Sequence, residues 1–173
     1  AWKQEQAILA SLTLPRVDGE SDDDFAKRVV VDAQEQSKKA MALGTSIHDA
    51  IENWLLGETV DPELFDYVQP VINWIEQEVD LSKPFEVEKR LASAEIGFAG
   101  RTDLICYLKN GQKAMIDWKS KNTKEQYGHK VSFYDEECWQ LSAYAMIEKC
   151  DICINIGIST SQKGTIGVKT WSN

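Results

Sequence analysis

One segment, residues 100–120, constrains the fold more than any other part of the sequence. It consists of two runs of strand-forming residues on either side of an Asn-Gly pair. Asn-Gly between two such runs is a strong signal for a β-hairpin. The segment also contains Asp103, Asp117 and Lys119. Because side chains alternate between the faces of a strand, Asp117 and Lys119 are expected to point the same way.

The length of the hairpin loop decides where Asp103 lies relative to Asp117. A two-residue loop of Asn110 and Gly111 pairs position 103 with 118 and separates the two aspartates, because shifting the register by one residue moves every side chain to the other face. A three-residue loop, residues 109–111, with Gly111 at positive φ pairs 103 with 117. The two carboxylates are then close enough to share a divalent cation.

Both loops suit the sequence, and we favour the three-residue loop because it separates a polar face of the hairpin from an apolar one. The apolar face then consists of Leu104, Cys106, Ala114 and Ile116.

Length and composition predict a single globular domain over residues 1–173. The chain is 43% hydrophobic and 27% charged, which is ordinary for a folded domain with a sizeable core. It begins at Ala1 inside a predicted helix, so we expect that some upstream residues are missing. A signal-peptide pattern and a membrane-length apolar run are both absent from the sequence, which predicts a soluble intracellular protein without a membrane partner.

The spacing of the four cysteines does not resemble a disulfide framework. Cys150 and Cys153 have a spacing typical of metal ligands but lack a matching second pair. Buried, reduced thiols are therefore the expectation for all four, which are Cys106, Cys138, Cys150 and Cys153.

The charge distribution argues against a protein that coats nucleic acid non-specifically. The net charge is −9, and affinity for a phosphate backbone comes mainly from Lys and Arg. Residues 41–82 hold nine acidic residues and no Lys or Arg, whereas residues 100–130 hold seven basic residues against three acidic ones. Positive charge is therefore concentrated around the hairpin aspartates.

The order of predicted elements favours an α/β domain with a mixed β-sheet flanked by helices. Ser21 is expected to cap a long helix that runs to Leu56, either unbroken or broken at Gly44. The predicted helices are residues 2–12, 21–56, 61–79 and 135–149, and the predicted strands are residues 85–91, the two arms of the hairpin, 152–159 and 165–171.

Several side chains are ambiguous when they are considered singly. His48 lies on the long helix beside an apolar stripe, where a lone histidine is usually a surface or hydrogen-bonded residue. The polar segment of residues 121–132, which includes Lys121 and Tyr127, either contacts a substrate or is simply solvated. Of the aromatic residues able to stack on unpaired bases, Tyr127 and Tyr134 fall in predicted loops. Core packing is the better expectation for the others, which are Trp118, Phe133 and Trp139.

Four motifs in order resemble the PD-(D/E)XK nuclease superfamily, in particular its RecB-type exonuclease branch. The first is Gly-x-x-x-His ending at His48, and the second is the aspartate of Gly-Arg-Thr-Asp103. The third is Asp117-x-Lys119, and the fourth is Gln-x-x-x-Tyr over residues 140–144. The resemblance covers about residues 41–158 and implies a restriction-endonuclease-like mixed sheet.

The resemblance implies a metal-dependent active site. Asp103 and Asp117, with the main-chain carbonyl of Trp118, would bind catalytic Mg²⁺ or Mn²⁺, and His48 would be an additional ligand. Glu88 would be the acidic residue of the preceding strand. Glu86 is the competing candidate for that position.

The remaining motif residues would act on water and substrate. Lys119 would orient or help to deprotonate the attacking water, and Gln140 and Tyr144 would position the metal site or the nucleic acid strand. Lys121 and Tyr127, in the polar segment, are further candidates for substrate binding.

By this resemblance the chain is a DNA exonuclease of replication, recombination or repair. Its partner would be DNA that is single-stranded or has free ends, and it would work in the cytoplasm or nucleoid of a bacterium or phage-infected cell, or in a mitochondrion. The alternatives are a restriction or resolvase-type endonuclease and a non-catalytic nucleic-acid-binding module. Relatives with an iron-sulfur cluster carry a cysteine before the histidine motif, and this chain has none before Cys106, so no cluster is expected.

Overall fold

Helices and strands follow one another in the order that the sequence predicts. The computed structural model describes residues 2–95 and 97–171. Its helices are α1 (Trp2–Thr13), α2 (Asp22–Leu55), α3 (Phe65–Glu78) and α4 (Asp135–Glu148), with short 3₁₀ turns at Pro62–Leu64 and Glu125–Tyr127. Its strands are β1 (Glu86–Ser93), β2 (Phe98–Tyr107), β3 (Lys113–Lys121), β4 (Ile152–Ser159) and β5 (Ile166–Trp171). No helix in this described part of the chain is both long and apolar enough to cross a membrane.

The five strands form one mixed sheet in the order β1-β2-β3-β4-β5. Neighbours are antiparallel except for β3 and β4, which are parallel. A parallel pair needs a long crossover connection, and α4 lies in the chain segment that joins β3 to β4. The predicted fold class, a mixed sheet flanked by helices, is confirmed.

The chain divides into two compact units, Ala1–Thr45 and Ser46–Asn173. In the first unit a small apolar cluster holds α1 and the first part of α2 together. Ser21 caps α2 as predicted: its Oγ accepts a hydrogen bond from the main-chain N–H of Asp24 at 3.2 Å. The helix is continuous through Gly44. The cluster consists of Ala10, Val29 and Ala33, with Ala7, Leu14 and Phe25 packed against it.

In the second unit both faces of the sheet are buried. The four residues predicted for the apolar face are at most 1% exposed. The opposite face, predicted to be polar, also carries buried apolar residues: Ile105 and Met115 pack against Leu141 and Ala145 of α4. The predicted division into a polar and an apolar face is therefore wrong along most of the hairpin, because the crossover helix covers the second face.

Three of the four cysteines are buried free thiols, as predicted, and Cys138 is half-buried. Burial raises the pKa of Cys106 to about 12 and the pKa values of Cys150 and Cys153 to about 11. Since the thiolate is the reactive form, these three residues are inert packing groups at neutral pH.

The hairpin has the predicted three-residue loop. Leu104 pairs with Ile116, and this register places Asp103 opposite Asp117. The main-chain N–H of Leu108 donates to the carbonyl oxygen of Gln112 at 2.9 Å. Gly111 has φ +92°, a conformation that residues with a Cβ adopt only with strain.

We expect Gly111→Ala to lower the free energy of unfolding by about 1 to 2 kcal/mol, since a non-glycine residue is strained at this φ. Urea unfolding monitored by circular dichroism measures the change. Gly111→Asn is the matched control and should cost less, because asparagine tolerates left-handed backbone better than alanine. Equal losses in the two variants would contradict a backbone origin.

Candidate metal centre

Asp103 lies where β2 and β3 part from each other. The antiparallel ladder between these strands reaches Leu104 and Ile116, so Asp103 and Asp117 are the next residues in register. Oδ2 of Asp103 accepts a hydrogen bond from the main-chain N–H of Trp118 at 2.8 Å. The Asp103 side chain is thus tied to the backbone of β3 next to Asp117.

His48, Glu88 and Asp103 form a potential metal-binding group. Within the described part of the chain, one ligating atom from each of these residues lies within 4.8 Å of the others. Nδ1 of His48 lies 3.5 Å from Oδ1 of Asp103. Two carboxylates and an imidazole are a donor set suited to Mg²⁺ or Mn²⁺.

Packing of α2 directs His48 towards this group. Its neighbours Ile47 and Ile51 are fully buried, as the apolar stripe predicted. The imidazole ring meets the Trp118 ring edge-on, with ring centroids 6.4 Å apart. Trp118 itself is fully buried, in agreement with its predicted core position.

Glu88, rather than Glu86, belongs to the group. The register of β1 and β2 pairs Val87 with Leu104 and Lys89 with Thr102, which brings Glu88 opposite Asp103. Glu86 instead accepts a hydrogen bond from Lys89 Nζ at 3.1 Å.

The backbone of β1 is irregular at Glu88, which has φ +53°. A left-handed non-glycine residue is uncommon and costs free energy, and such residues are concentrated at functional sites. Regular alternation along a strand would place Glu86 and Glu88 on one face, and the left-handed residue interrupts it. The irregular backbone separates the directions of the two glutamate side chains.

The electrostatics of Glu88 reflect a crowded acidic site. Burial raises its pKa, the neighbouring carboxylate of Asp103 raises it further, and the Arg101 guanidinium partly offsets both effects. Arg101 forms an ion pair with Glu88, and its side chain is 62% exposed. Arg101 therefore presents positive charge to solvent at the edge of the acidic group.

Asp117 is 4% exposed and lies outside the three-residue group. One of its carboxylate oxygens accepts a hydrogen bond from Lys119 Nζ at 2.9 Å. The other, Oδ2, lies 2.9 Å from the same ammonium and accepts a hydrogen bond from Asn155 Nδ2 at 3.0 Å. Burial and the negative charge of Asp103 raise the pKa of Asp117 to about 6, although the Lys119 ammonium opposes the shift.

The structure joins the last two motifs through side-chain hydrogen bonds. Lys119 Nζ lies 3.4 Å from Gln140 Oε1, and Gln140 Nε2 donates to Tyr144 Oη at 3.3 Å. Tyr144 is buried and lies directly against Gly100, where an added Cβ would come within 1.9 Å of the tyrosine oxygen. Gly100 is therefore needed for the close approach of α4 to β2.

The two further substrate-binding candidates differ in their surroundings. Lys121 forms an ion pair with Glu137, and its side chain is 15% exposed. Its ammonium also lies 4.9 Å from the Tyr134 ring centroid. Tyr127 stands on the short 3₁₀ turn and is 68% exposed. Lys121 is thus largely committed to an internal pair, whereas the Tyr127 ring is free to contact another molecule.

Hydrogen bonds between hydroxyl groups organise the segment after β3. Thr123 Oγ1 lies 2.6 Å from Ser159 Oγ, 2.9 Å from Ser161 Oγ and 3.1 Å from His129 Nδ1. The predicted polar loop is therefore bound to the end of β4.

The core position expected for Trp139 is wrong. Its side chain is 67% exposed on α4, because Leu141, Tyr144 and Ala145 supply the buried face of that helix.

Two residues of the site were missed by sequence reasoning. Arg101 carries no signal beyond its place next to a motif glycine. Asn155 has a detectable signal: it is an amide between Ile154 and Ile156 in an otherwise apolar strand. A buried amide must find hydrogen-bond partners, and that requirement indicates a polar neighbour on β3.

Comparisons with known proteins identify no family. No family model matches the chain, and no curated protein matches it. Among solved structures, the chain is similar to the crystal structure of SSO0001, with 18% identity and a TM-score of 0.35. The match covers 51% of this chain and 42% of that one. At this level of similarity it identifies neither a fold nor a function.

We expect Asp117→Asn to become more stable relative to the wild type as the pH rises from about 4 to 7. The pKa of Asp117 is about 6 in the folded protein against 3.8 as the ordinary value, so the folded wild type binds more protons than the unfolded chain in this interval. Its free energy of unfolding therefore falls as the pH rises. Urea unfolding at several pH values in EDTA measures the difference.

The control for this measurement is Asp18→Asn, which removes one carboxylate from the exposed surface. A pH-dependent gain of the same size in both variants would contradict a specific contribution from the buried site.

Proposed function

We propose that the protein is a metal-dependent nuclease that hydrolyses phosphodiester bonds in DNA, acting as an exonuclease. The observation that carries the proposal is the convergence of His48, Glu88 and Asp103 beside Asp117 and Lys119. These residues come from α2, β1, β2 and β3. Their convergence supports a common chemical role.

The donor set fits a divalent cation for an electrostatic reason. Glu88 and Asp117 both have raised pKa values, because they are buried and because each is repelled by the charge of Asp103. A cation between these groups would relieve that repulsion and favour their ionised forms. His48, Glu88 and Asp103 are positioned to hold it, with Asp117 adjacent. When bound, Mg²⁺ or Mn²⁺ supplies charge neutralisation at the phosphodiester and increases the acidity of water.

Lys119 has the chemistry needed to orient the attacking water. Its ammonium is held by Asp117 and Gln140 and has three hydrogens to donate. The water oxygen forms a bond to phosphorus, the bond from phosphorus to the leaving ester oxygen breaks, and a water proton passes to the leaving strand. The positive charge of Lys119 favours the extra negative charge that develops at phosphorus.

The chain is acidic overall, so binding of DNA requires positive charge concentrated near the site. Arg101 is exposed at the edge of the acidic group, and residues 100–130 are rich in Lys and Arg. Tyr127 and Tyr134 are both largely exposed and follow β3 in the chain. Their rings offer stacking surfaces for unpaired bases, which supports a single-stranded or frayed end as the substrate.

Cleavage assays on two forms of DNA test the activity and its mode. End-labelled single-stranded DNA and closed circular DNA are incubated with the protein in Mg²⁺, in Mn²⁺ and in EDTA. Metal-dependent release of nucleotides from ends, with circles intact, is the expected result. Cutting of closed circles would identify an endonuclease. Failure to cut in any metal would leave a non-catalytic nucleic-acid-binding module.

We expect Lys119→Ala and Asp117→Asn each to lower kcat for single-stranded DNA by at least about a hundredfold, as is usual when a positioned charged group at a reacting centre is removed. Thermal melting should show that both variants remain folded. Lys39→Ala, which changes an exposed lysine of α2 outside the basic residues 100–130, is the control and should retain kcat. Wild-type turnover in either test variant would exclude that residue from the chemistry.

A further inference from the structure

Asn155 occupies an unusual position in β4. It is fully buried in an apolar strand, and its Cα partner in the parallel ladder with β3 is Asp117. Burying an amide without hydrogen bonds costs free energy, whereas an apolar residue at this position would carry no such cost. The amide of Asn155 therefore needs partners, and it has one on each side.

On the side of β3, the amide nitrogen of Asn155 meets Asp117 twice. Nδ2 donates to carboxylate Oδ2 at 3.0 Å and to the main-chain oxygen of the same residue at 3.4 Å. A primary amide has two hydrogens, so both are directed to Asp117. Oδ2 of Asp117 also lies 2.9 Å from Lys119 Nζ, so the amide of Asn155 and the ammonium of Lys119 hold this oxygen from different residues.

On the side of β5, the indole Nε1 of Trp171 donates to Oδ1 of Asn155 at 2.8 Å. An indole N–H can only donate. The opposite orientation of the amide would direct its NH₂ group at the indole N–H and its oxygen at the Asp117 carboxylate, and both contacts would be repulsive. Trp171 therefore selects the amide orientation in which the NH₂ group faces Asp117.

We propose that Asn155 and Trp171 are positioning residues for Asp117. The indole of Trp171 sets the orientation of the Asn155 amide, and the amide sets the rotation of the Asp117 carboxylate beside Asp103. Neither residue touches the reacting atoms. The catalytic part of this inference rests on the proposed nuclease function, and its structural part concerns the rotation of the Asp117 side chain.

The effect of Trp171 on Asp117 therefore depends on the presence of Asn155. Among the described residues, the hydrogen-bonded route from Trp171 to Asp117 runs through the Asn155 amide, so removal of the indole N–H should matter while the amide is present. Partners that orient groups around a metal site typically contribute about 10- to 100-fold in affinity or activity. A loss of that size should appear in kcat rather than in KM for DNA, because these residues do not contact the substrate.

The test compares Trp171→Phe, Asn155→Leu and the double variant with the wild type. Trp171→Phe removes the N–H and keeps an aromatic ring, and Asn155→Leu replaces the amide with an apolar group of similar shape. We expect each single variant to lower kcat by about tenfold or more and to weaken Mn²⁺ binding, measured by titration calorimetry or electron paramagnetic resonance. The double variant should be no worse than Asn155→Leu alone.

Trp139→Phe is the matched control, since it makes the same change at an exposed indole on α4, and it should retain wild-type kcat and Mn²⁺ affinity. Wild-type kcat and Mn²⁺ affinity in Trp171→Phe would overturn the proposal, as would losses that multiply in the double variant.

Thermal melting reports folding, and if Asn155→Leu does not fold, Trp171→Phe alone decides. A wild type that cuts no DNA would refute the nuclease function, whereas Mn²⁺ affinities in the same variants would still decide whether Trp171 and Asn155 position Asp117.

Discussion

The hydrogen bond from the Trp118 main chain to the Asp103 carboxylate is the interaction on which the site depends. It is made where the ladder between β2 and β3 ends, so the Asp103 side chain, and not a main-chain carbonyl of β2, accepts the hydrogen bond from the Trp118 N–H. The bond anchors a buried charge that would otherwise be costly. It also brings Asp103 next to Asp117 on β3, within reach of His48 and Glu88.

The close approach of these carboxylates disfavours their ionised forms. The raised pKa values of the buried carboxylates of Glu88 and Asp117 mean that their ionised forms cost the folded protein stability. The left-handed backbone of Glu88 has a similar meaning, because it costs free energy and turns one glutamate towards Asp103. The groups that oppose the repulsion, Arg101 and Lys119, are both partly exposed.

Rigid elements hold nearly every side chain of the site. His48 is on a helix whose neighbouring positions are buried, Asp117 is on a strand with hydrogen-bonded neighbours on both sides, and Gln140 is on the crossover helix. Asn155, on β4, extends this support to the far side of Asp117. Sites built on helices and strands keep their geometry better than sites built on loops, which suits the reaction proposed above.

Local chemistry in the sequence determined the strands and the cap of α2, and it limited the hairpin to two registers. The Asn-Gly loop and the alternation of residues leave few choices for a chain segment of that length, and Gly111 has the positive φ that the favoured register requires. Only the tertiary structure decided between Glu86 and Glu88, covered the second face of the hairpin with α4, exposed Trp139 and brought Asn155 against Asp117. Those outcomes depend on contacts between residues far apart in the chain, and periodicity within one element does not specify which elements meet.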